Sequence, residues 1–260
     1  MNTLNIAALQ TDLVWEDKAT NLKTVRKLLE ECSPNADLVV VPEMFSTAFS
    51  VQAAQLAEPT DGNTLTTLKG WAKELDIAIC GSYIACEGTN IYNRAFFLTP
   101  EGEEFYYDKR HLFRMAGEDQ HFSPGQMATV VHYRGWNIML SVCYDLRFPV
   151  WLRNVNNSYD LLLCMANWPT GRRSVWDVLL RARALENQCF VCGVNRIGTD
   201  AFGVDYNGGS TIISPQGKEL ATVPDRTEGF AIATLEGKQL KLFREKFPTW
   251  KDADAFSLLL

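Results

Sequence analysis

Ile138-Met139-Leu140-Ser141-Val142 leads into Cys143, and Tyr144-Asp145-Leu146-Arg147-Phe148-Pro149 follows it. The first five residues are a short apolar run, which predicts a strand buried on both faces, and the polar break after Cys143 predicts the opening of a helix. Runs of the same kind recur at Ile6-Ala7-Ala8-Leu9, from Leu38 to Val41, Ile77 to Cys80, Ala95 to Leu98, Leu161 to Ala166 and Phe190 to Val194. Between several of them the apolar spacing turns helical. Leu22, Val25, Leu28 and Leu29 share one face of 21–31, and Leu65, Leu68, Trp71, Ala72 and Leu75 share one face of 65–75. The longest helix candidate runs from Ser174 to Gln188 with Ser174 as its N-cap. Strand-like sequence resumes from Gly209 to Ile213, and Pro100-Glu101-Gly102 and Pro215-Gln216-Gly217 read as tight turns between strands. Helices alternating with strands predict a layered α/β fold. No repeat, low-complexity tract or Pro/Ser-rich linker interrupts the pattern, so a single domain is expected over residues 1–260.

Composition narrows the class of partner. The chain has 260 residues, 47% hydrophobic and 22% charged, an ordinary globular balance that can bury a sizeable core. A net charge of −6 without a basic cluster argues against nucleic acid and against an anionic membrane surface, leaving small molecules or proteins. Met1-Asn2-Thr3-Leu4-Asn5-Ile6 is not a basic, apolar leader, and the longest apolar run, Leu161 to Ala166, is far below membrane-spanning length. Seven scattered cysteines, an odd number set mostly in apolar runs, suit reduced thiols in the cytoplasm.

Cys143 is the sharpest chemical candidate, because a strand end presents a side chain to solvent and the following backbone N–H groups can meet an oxyanion. A buried structural thiol is the alternative, the reading given to Cys80, Cys164, Cys189 and Cys192. A nucleophilic thiol needs a base or an electropositive setting. His111, His121 and His132 all read as solvated or locally hydrogen-bonded. Glu43 closes the run Val39-Val40-Val41-Pro42 in apolar company, where burial is expected to raise its pKa toward neutrality. Otherwise it is a strand-end charge that reaches water. Lys109, in Tyr106-Tyr107-Asp108-Lys109-Arg110-His111, either places an ammonium beside an oxyanion or is a surface lysine. Cys189-Phe190-Val191-Cys192 has the spacing of a metal knuckle but lies in a strand-like run, so no metal site is expected. Asn207-Gly208-Gly209-Ser210 lacks a phosphate-loop lysine and reads as a turn.

Pro42-Glu43-Met44-Phe45, then Asp108-Lys109-Arg110-His111-Leu112-Phe113, then Val142-Cys143-Tyr144-Asp145-Leu146-Arg147-Phe148-Pro149 resemble, in that order, the nitrilase (carbon–nitrogen hydrolase) superfamily. Ala166-Asn167-Trp168-Pro169, Arg183-Ala184-Leu185-Glu186-Asn187-Gln188 and Arg244-Glu245-Lys246-Phe247-Pro248 extend the likeness nearly end to end, and within the superfamily the chain looks like the omega-amidase branch. The resemblance implies a four-layer αββα sandwich and a Glu-Lys-Cys triad on Glu43, Lys109 and Cys143. It places a second acidic residue on Glu118, with Asp119 adjacent as the alternative. It also implies a homodimer packed sandwich on sandwich, with the C-terminal tail, 249–260, reaching across to the partner.

Read with the triad chemistry, the resemblance implies an amidase without metal or organic cofactor. Glu43 would take the Cys143 proton, Lys109 and the Tyr144 backbone N–H would hold the oxyanion, and ammonia would leave a thioester on Cys143 for water to cleave. The branch implies a dicarboxylic monoamide substrate, chiefly 2-oxoglutaramate or 2-oxosuccinamate. Its carboxylate would meet Arg172 or Arg173, with Trp168, Tyr92 or Tyr144 as pocket walls. Deaminated glutathione is the rival substrate. A non-catalytic scaffold and a redox-sensing thiol on the same fold are the rival classes.

Overall fold

A computed structural model describes residues 3–258. Met1 and Asn2, and the last two residues of the apolar tail, Leu259 and Leu260, lie outside the described residues. In chain order the strands are β1 (Thr3–Gln10), β2 (Leu38–Val40), β3 (Ala78–Glu87), β4 (Asn90–Leu98), β5 (Glu104–Asp108), β6 (Val130–Tyr133), β7 (Trp136–Val142), β8 (Leu161–Ala166), β9 (Phe190–Asn195), β10 (Ile197–Thr199), β11 (Asp205–Asn207), β12 (Thr211–Ile213), β13 (Glu219–Thr222) and β14 (Gly229–Glu236). The helices are α1 (Lys18–Cys32), α2 (Ala53–Leu56), α3 (Asn63–Leu75), α4 (Glu118–His121), α5 (Arg173–Asn187) and α6 (Gly237–Lys246).

Two six-stranded sheets share one plan. The first runs β14-β1-β2-β3-β4-β5 and the second β13-β12-β9-β8-β7-β6. In each, three strands are mutually parallel, β1-β2-β3 and β7-β8-β9, and the flanking strands are antiparallel. Alternation along β1 explains the layering. Leu4, Ile6 and Ala8 enter a core shared with Ile138, Leu140 and Val142 of the second sheet, while Ala7 and Leu9 point the other way, onto Val25, Leu28 and Leu29 of α1 and Leu65 and Leu68 of α3. On the far side, α5 lays Trp176, Leu180 and Ala184 against the second sheet, and a Cβ on Gly193 of β9 would overlap the Leu180 side chain. The layers are therefore helix, sheet, sheet, helix, the sandwich that the resemblance implies. Each fully buried Leu, Ile or Val in it contributes about 1.5–3 kcal/mol relative to exposure.

Local expectations met two corrections. Ser174 is not the N-cap of α5: the helix starts at Arg173, capped at Arg172 without a side-chain bond, because the preceding 3-10 turn Thr170–Arg172 already carries the chain into helical geometry. The helix expected after Cys143 is a single 3-10 turn, Cys143–Arg147, since Pro149 pushes Phe148 out of helical angles. The turns after Pro100 and Pro215 stand as expected, joining β4 to β5 and β12 to β13.

Four strand ends converge at one edge of the sandwich. Glu43 follows β2, Lys109 follows β5, Cys143 follows β7 and Asn167 follows β8. One close approach pins the lysine: the Gly125 N–H donates to the Lys109 carbonyl at 2.9 Å, and a Cβ on Gly125 would overlap the carbonyl oxygen of Asp108. The obstacle is backbone, which cannot rotate away. Gly125→Ala is therefore expected to destabilise the fold by about 1–3 kcal/mol, read as a lowered midpoint in denaturant unfolding, and to reduce turnover further through displacement of Lys109. An unchanged midpoint would show that the strand end yields.

Candidate active site

Lys109 Nζ lies 2.8 Å from Glu43 Oε1 and 3.0 Å from both carboxylate oxygens of Glu118. Asn93, on β4, bridges the same two acids, donating from Nδ2 to Glu43 Oε1 at 2.8 Å and to Glu118 Oε1 at 3.0 Å. The other oxygen of Glu43 accepts from the Asn167 N–H at 2.8 Å, and that of Glu118 from the Phe113 N–H at 2.6 Å. All three charged side chains are withdrawn from solvent, at 0–1% exposure. Asp119, by contrast, faces outward toward Arg114, which settles by geometry which acid of the Glu118-Asp119 pair joins the cluster.

The charges set one another. Burial alone would raise Glu43, as the sequence suggests, but the Lys109 ammonium together with the Asn167 and Asn93 donors overcomes it and holds Glu43 below the usual carboxylate range. This corrects the expected rise. Glu118 goes the other way: burial and the neighbouring Glu43 charge outweigh Lys109 and raise it. Burial works against the Lys109 charge, yet Glu118 and Glu43 keep it well above the ordinary lysine value. Cys143 is pushed well up, first by burial and then by the Glu43 charge, with Lys109 opposing. At neutral pH the resting site holds a thiol, an ammonium and a Glu43 carboxylate.

Cys143 itself sits at φ +46°, a left-handed conformation that costs a non-glycine residue on the order of 1–2 kcal/mol. Asp145 holds it there. One Asp145 oxygen accepts from the Val142 N–H and the Tyr107 hydroxyl, the other from the N–H and Nδ1 of His111, at 2.8–3.0 Å. Tyr107 and His111 flank Lys109 in sequence, so this carboxylate ties the lysine to the elbow that carries the thiol. The Tyr144 N–H comes second in the 3-10 turn, among the N-terminal donors that a helix leaves without internal partners.

A cavity of about 450 Å³ opens onto the cluster, with Glu43, Lys109, Cys143, Tyr144, Asn167 and Trp168 in its walls. Arg172 lines it too, its guanidinium 5.3 Å from the Phe113 ring centre and in no ion pair among the described residues. Arg173 does not: it is spent on Asp177 and Asp225. Tyr92 is likewise no wall of this cavity, since its ring packs under Arg94 on the helix-facing side of the first sheet. Three lining or bridging residues had no role assigned from sequence. Asn93 lies inside β4 with no pattern break to mark it, Arg147 (5.1 Å from the Trp168 ring centre) lies within the nucleophile motif, and Asn167 follows a buried strand just as Cys143 does, the one signal that could have found it. No histidine lines the cavity, and no group of three or more His, Cys, Asp or Glu suited to a metal ion occurs among the described residues.

Residues 5–245 match the carbon–nitrogen hydrolase family. The chain is 43% identical over 258 residues to the omega-amidase YafV of Escherichia coli strain K12, covering 99% of this chain and all of that protein. It is 32% identical to the 2-oxoglutaramate amidase of Bacillus subtilis strain 168, covering 95% of this chain and 96% of that one. XC1258 from Xanthomonas campestris, a CN-hydrolase superfamily protein solved with an arsenic adduct in its active site, superposes with a TM-score of 0.96 at 38% identity, over 99% of this chain and 100% of that one.

The electrostatics are directly measurable. Alkylation of Cys143 by iodoacetamide is expected to keep rising with pH beyond 9 in the native protein, because its thiolate forms only well above the ordinary cysteine value. Glu43→Gln removes the like charge that raises the thiol and leaves Lys109 in place. Its alkylation profile is therefore expected to move to lower pH, and a profile that stays or moves up would contradict the arrangement of charges.

Proposed function

The chain belongs to the carbon–nitrogen hydrolase family, and on that premise we propose that it is a cysteine-dependent omega-amidase hydrolysing the terminal amide of 2-oxoglutaramate and similar dicarboxylic monoamides. The observation that carries this reading is the Lys109 ammonium held between Glu43 and Glu118 beside the Cys143 elbow. Glu43 takes the Cys143 proton as the sulfur attacks the amide carbon. With a high thiol pKa and a low carboxylate pKa that transfer is uphill at rest, so it proceeds as the carbonyl oxygen takes up negative charge against Lys109 and the Tyr144 N–H. Glu43 returns the proton to nitrogen, ammonia departs, and a thioester remains on Cys143. Water, deprotonated by Glu43, then releases the oxo acid, while Glu118 keeps Lys109 in position through both steps.

Arg172 supplies the natural clamp for the distal carboxylate, with Arg147 as a second cation on the same cavity. The alternative substrate is the longer amide of deaminated glutathione, which a cavity of about 450 Å³ with an aromatic lining also leaves room to consider. For the assembly, the reading is a cytoplasmic homodimer: all seven cysteines are unpaired, and Val178 and Leu185 of α5, Leu242 of α6 and Phe247 are exposed apolar side chains for a second copy to cover. The C-terminal segment, exposed from residue 253 to 258, is the part assigned to reach across.

Ammonia release from 2-oxoglutaramate, set against glutamine, deaminated glutathione and a simple nitrile, tests the activity. The wild type is expected to prefer the oxo-acid amide, and Cys143→Ala to release none. A Cys143→Ala protein that hydrolyses at the wild-type rate would sink the assignment. Arg172→Ala is expected to raise KM about tenfold to a hundredfold with a smaller effect on kcat, the loss of one charge-assisted contact. An unchanged KM would move the clamp to Arg147.

A further inference from the structure

One polar atom of the site lacks a partner. Asn167 donates from Nδ2 to the Glu43 main-chain carbonyl at 2.7 Å, with Glu43 Oε2 at 3.4 Å, and its own carbonyl oxygen stands 4.0 Å from Cys143 Sγ. Its Oδ1 is buried and accepts from no group among the described residues. The amide cannot be relieved by turning it over, because Oδ1 would then face the carbonyl and carboxylate oxygens of Glu43, which offer no hydrogen. A buried acceptor is costly when left unmade, and native sites retain one where a ligand or solvent supplies the donor. Asn167 is among the residues that line the cavity, and a molecule that fills it can bring the donor.

We propose that Asn167 Oδ1 accepts a hydrogen from the nitrogen of the scissile amide and thereby selects amides over esters of the same acid. The inference rests on the amidase reading above. A primary amide nitrogen carries two hydrogens, whereas the alkoxy oxygen of an ester carries none and would set its lone pairs against Oδ1. Asn167 also holds Glu43 Oε2 through its backbone N–H, so one residue sets the base and the leaving nitrogen side by side. When sulfur adds to the carbonyl carbon, the nitrogen lone pair is released from conjugation. With an N–H fixed on Oδ1, that lone pair turns to the proton held by Glu43. The C–N bond then breaks with its electron pair on nitrogen, ammonia leaves, and the thioester carbonyl re-forms.

The test compares kcat/KM for 2-oxoglutaramate with that for the corresponding ω-methyl ester, in the wild type and in Asn167→Leu. Both substrates give the same thioester on Cys143, so the ratio reports the first half of the reaction alone. Loss of the Nδ2 bond to Glu43 slows both substrates by one factor, since both need the Cys143 proton removed. Loss of Oδ1 slows only the amide, and the amide-to-ester ratio is expected to fall by about tenfold or more. Equal losses would overturn the assignment. A second series needs no variant: the wild type on the amide, its N-methyl and its N,N-dimethyl derivatives. The second methyl removes the last N–H and is expected to cost far more than the first, whereas equal steps, the effect of bulk alone, would overturn the proposal. If the wild type cleaves neither amide nor ester, the amidase reading falls and this assignment with it. If it cleaves both and the ratio is unmoved, this assignment falls alone.

Discussion

A lysine ammonium buried between two carboxylates is the constraint on which the rest of the site depends. Each charge would be untenable by itself at this depth: a lone buried carboxylate takes up a proton, and a lone buried ammonium loses one. Together, with Asn93 bridging both acids, the groups offset one another's burial: Glu43 is held low and Lys109 high, while Glu118, beside the Glu43 charge, is raised. They come from three separate segments, the end of β2, the end of β5 and the start of α4. The cluster forms only when those segments dock correctly, and taking away the lysine would leave the two buried acids without their counter-charge, a loss on the order of 3–5 kcal/mol. The two-sheet sandwich is the rigid frame that makes such docking reproducible.

Asp145 extends the same logic to the nucleophile, and the chemistry of its partners fixes every hydrogen. The Tyr107 oxygen already receives the indole N–H of Trp151 and the N–H of Arg110, so its own proton must go to Asp145. A carboxylate only accepts, so His111 carries its hydrogen on Nδ1. The His111 ring is further held flat on Phe148, with centres 3.7 Å apart. The histidine nearest the triad in sequence is thus a strut between the lysine loop and the cysteine elbow, and no base for the thiol. A triad of the cysteine–histidine kind is not available on this scaffold.

This division of labour explains what was legible in the sequence. Strands such as Ile138 to Val142 and Leu161 to Ala166 are buried on both faces, and such burial leaves a continuous apolar run that chain-local reasoning reads directly. Glu43 and Cys143 stand out because each follows an apolar strand-like run and breaks its pattern, whereas Lys109, with no such run before it, is singled out only by the family resemblance. What stayed hidden depends on partners distant in the chain. The pKa of Glu43 is decided by Lys109, sixty-six residues on, and not by its apolar neighbours. Arg173 looked as available as Arg172 until Asp225, fifty-two residues away, was found to hold it. Asn93 and Asn167 are polar residues whose role exists only once Glu43 lies beside them.

The resting charges also bear on which chemistry the thiol is suited to. Peroxide sensing selects cysteines that are thiolate at neutral pH and open to solvent. Cys143 is partly exposed at the cavity wall but fails the first condition, since desolvation and the Glu43 carboxylate push its thiol well above the ordinary cysteine value. In the proposed mechanism its reactivity is conditional: the proton leaves only when a bound carbonyl offers the negative charge a new place beside Lys109. An ammonium already clamped by two acids has little freedom to reorganise, so the field that receives that charge is set before substrate arrives. A thiol kept quiet until an acyl group occupies the cavity can afford to sit permanently next to its base, and that arrangement favours acyl transfer over redox signalling as the use of this fold.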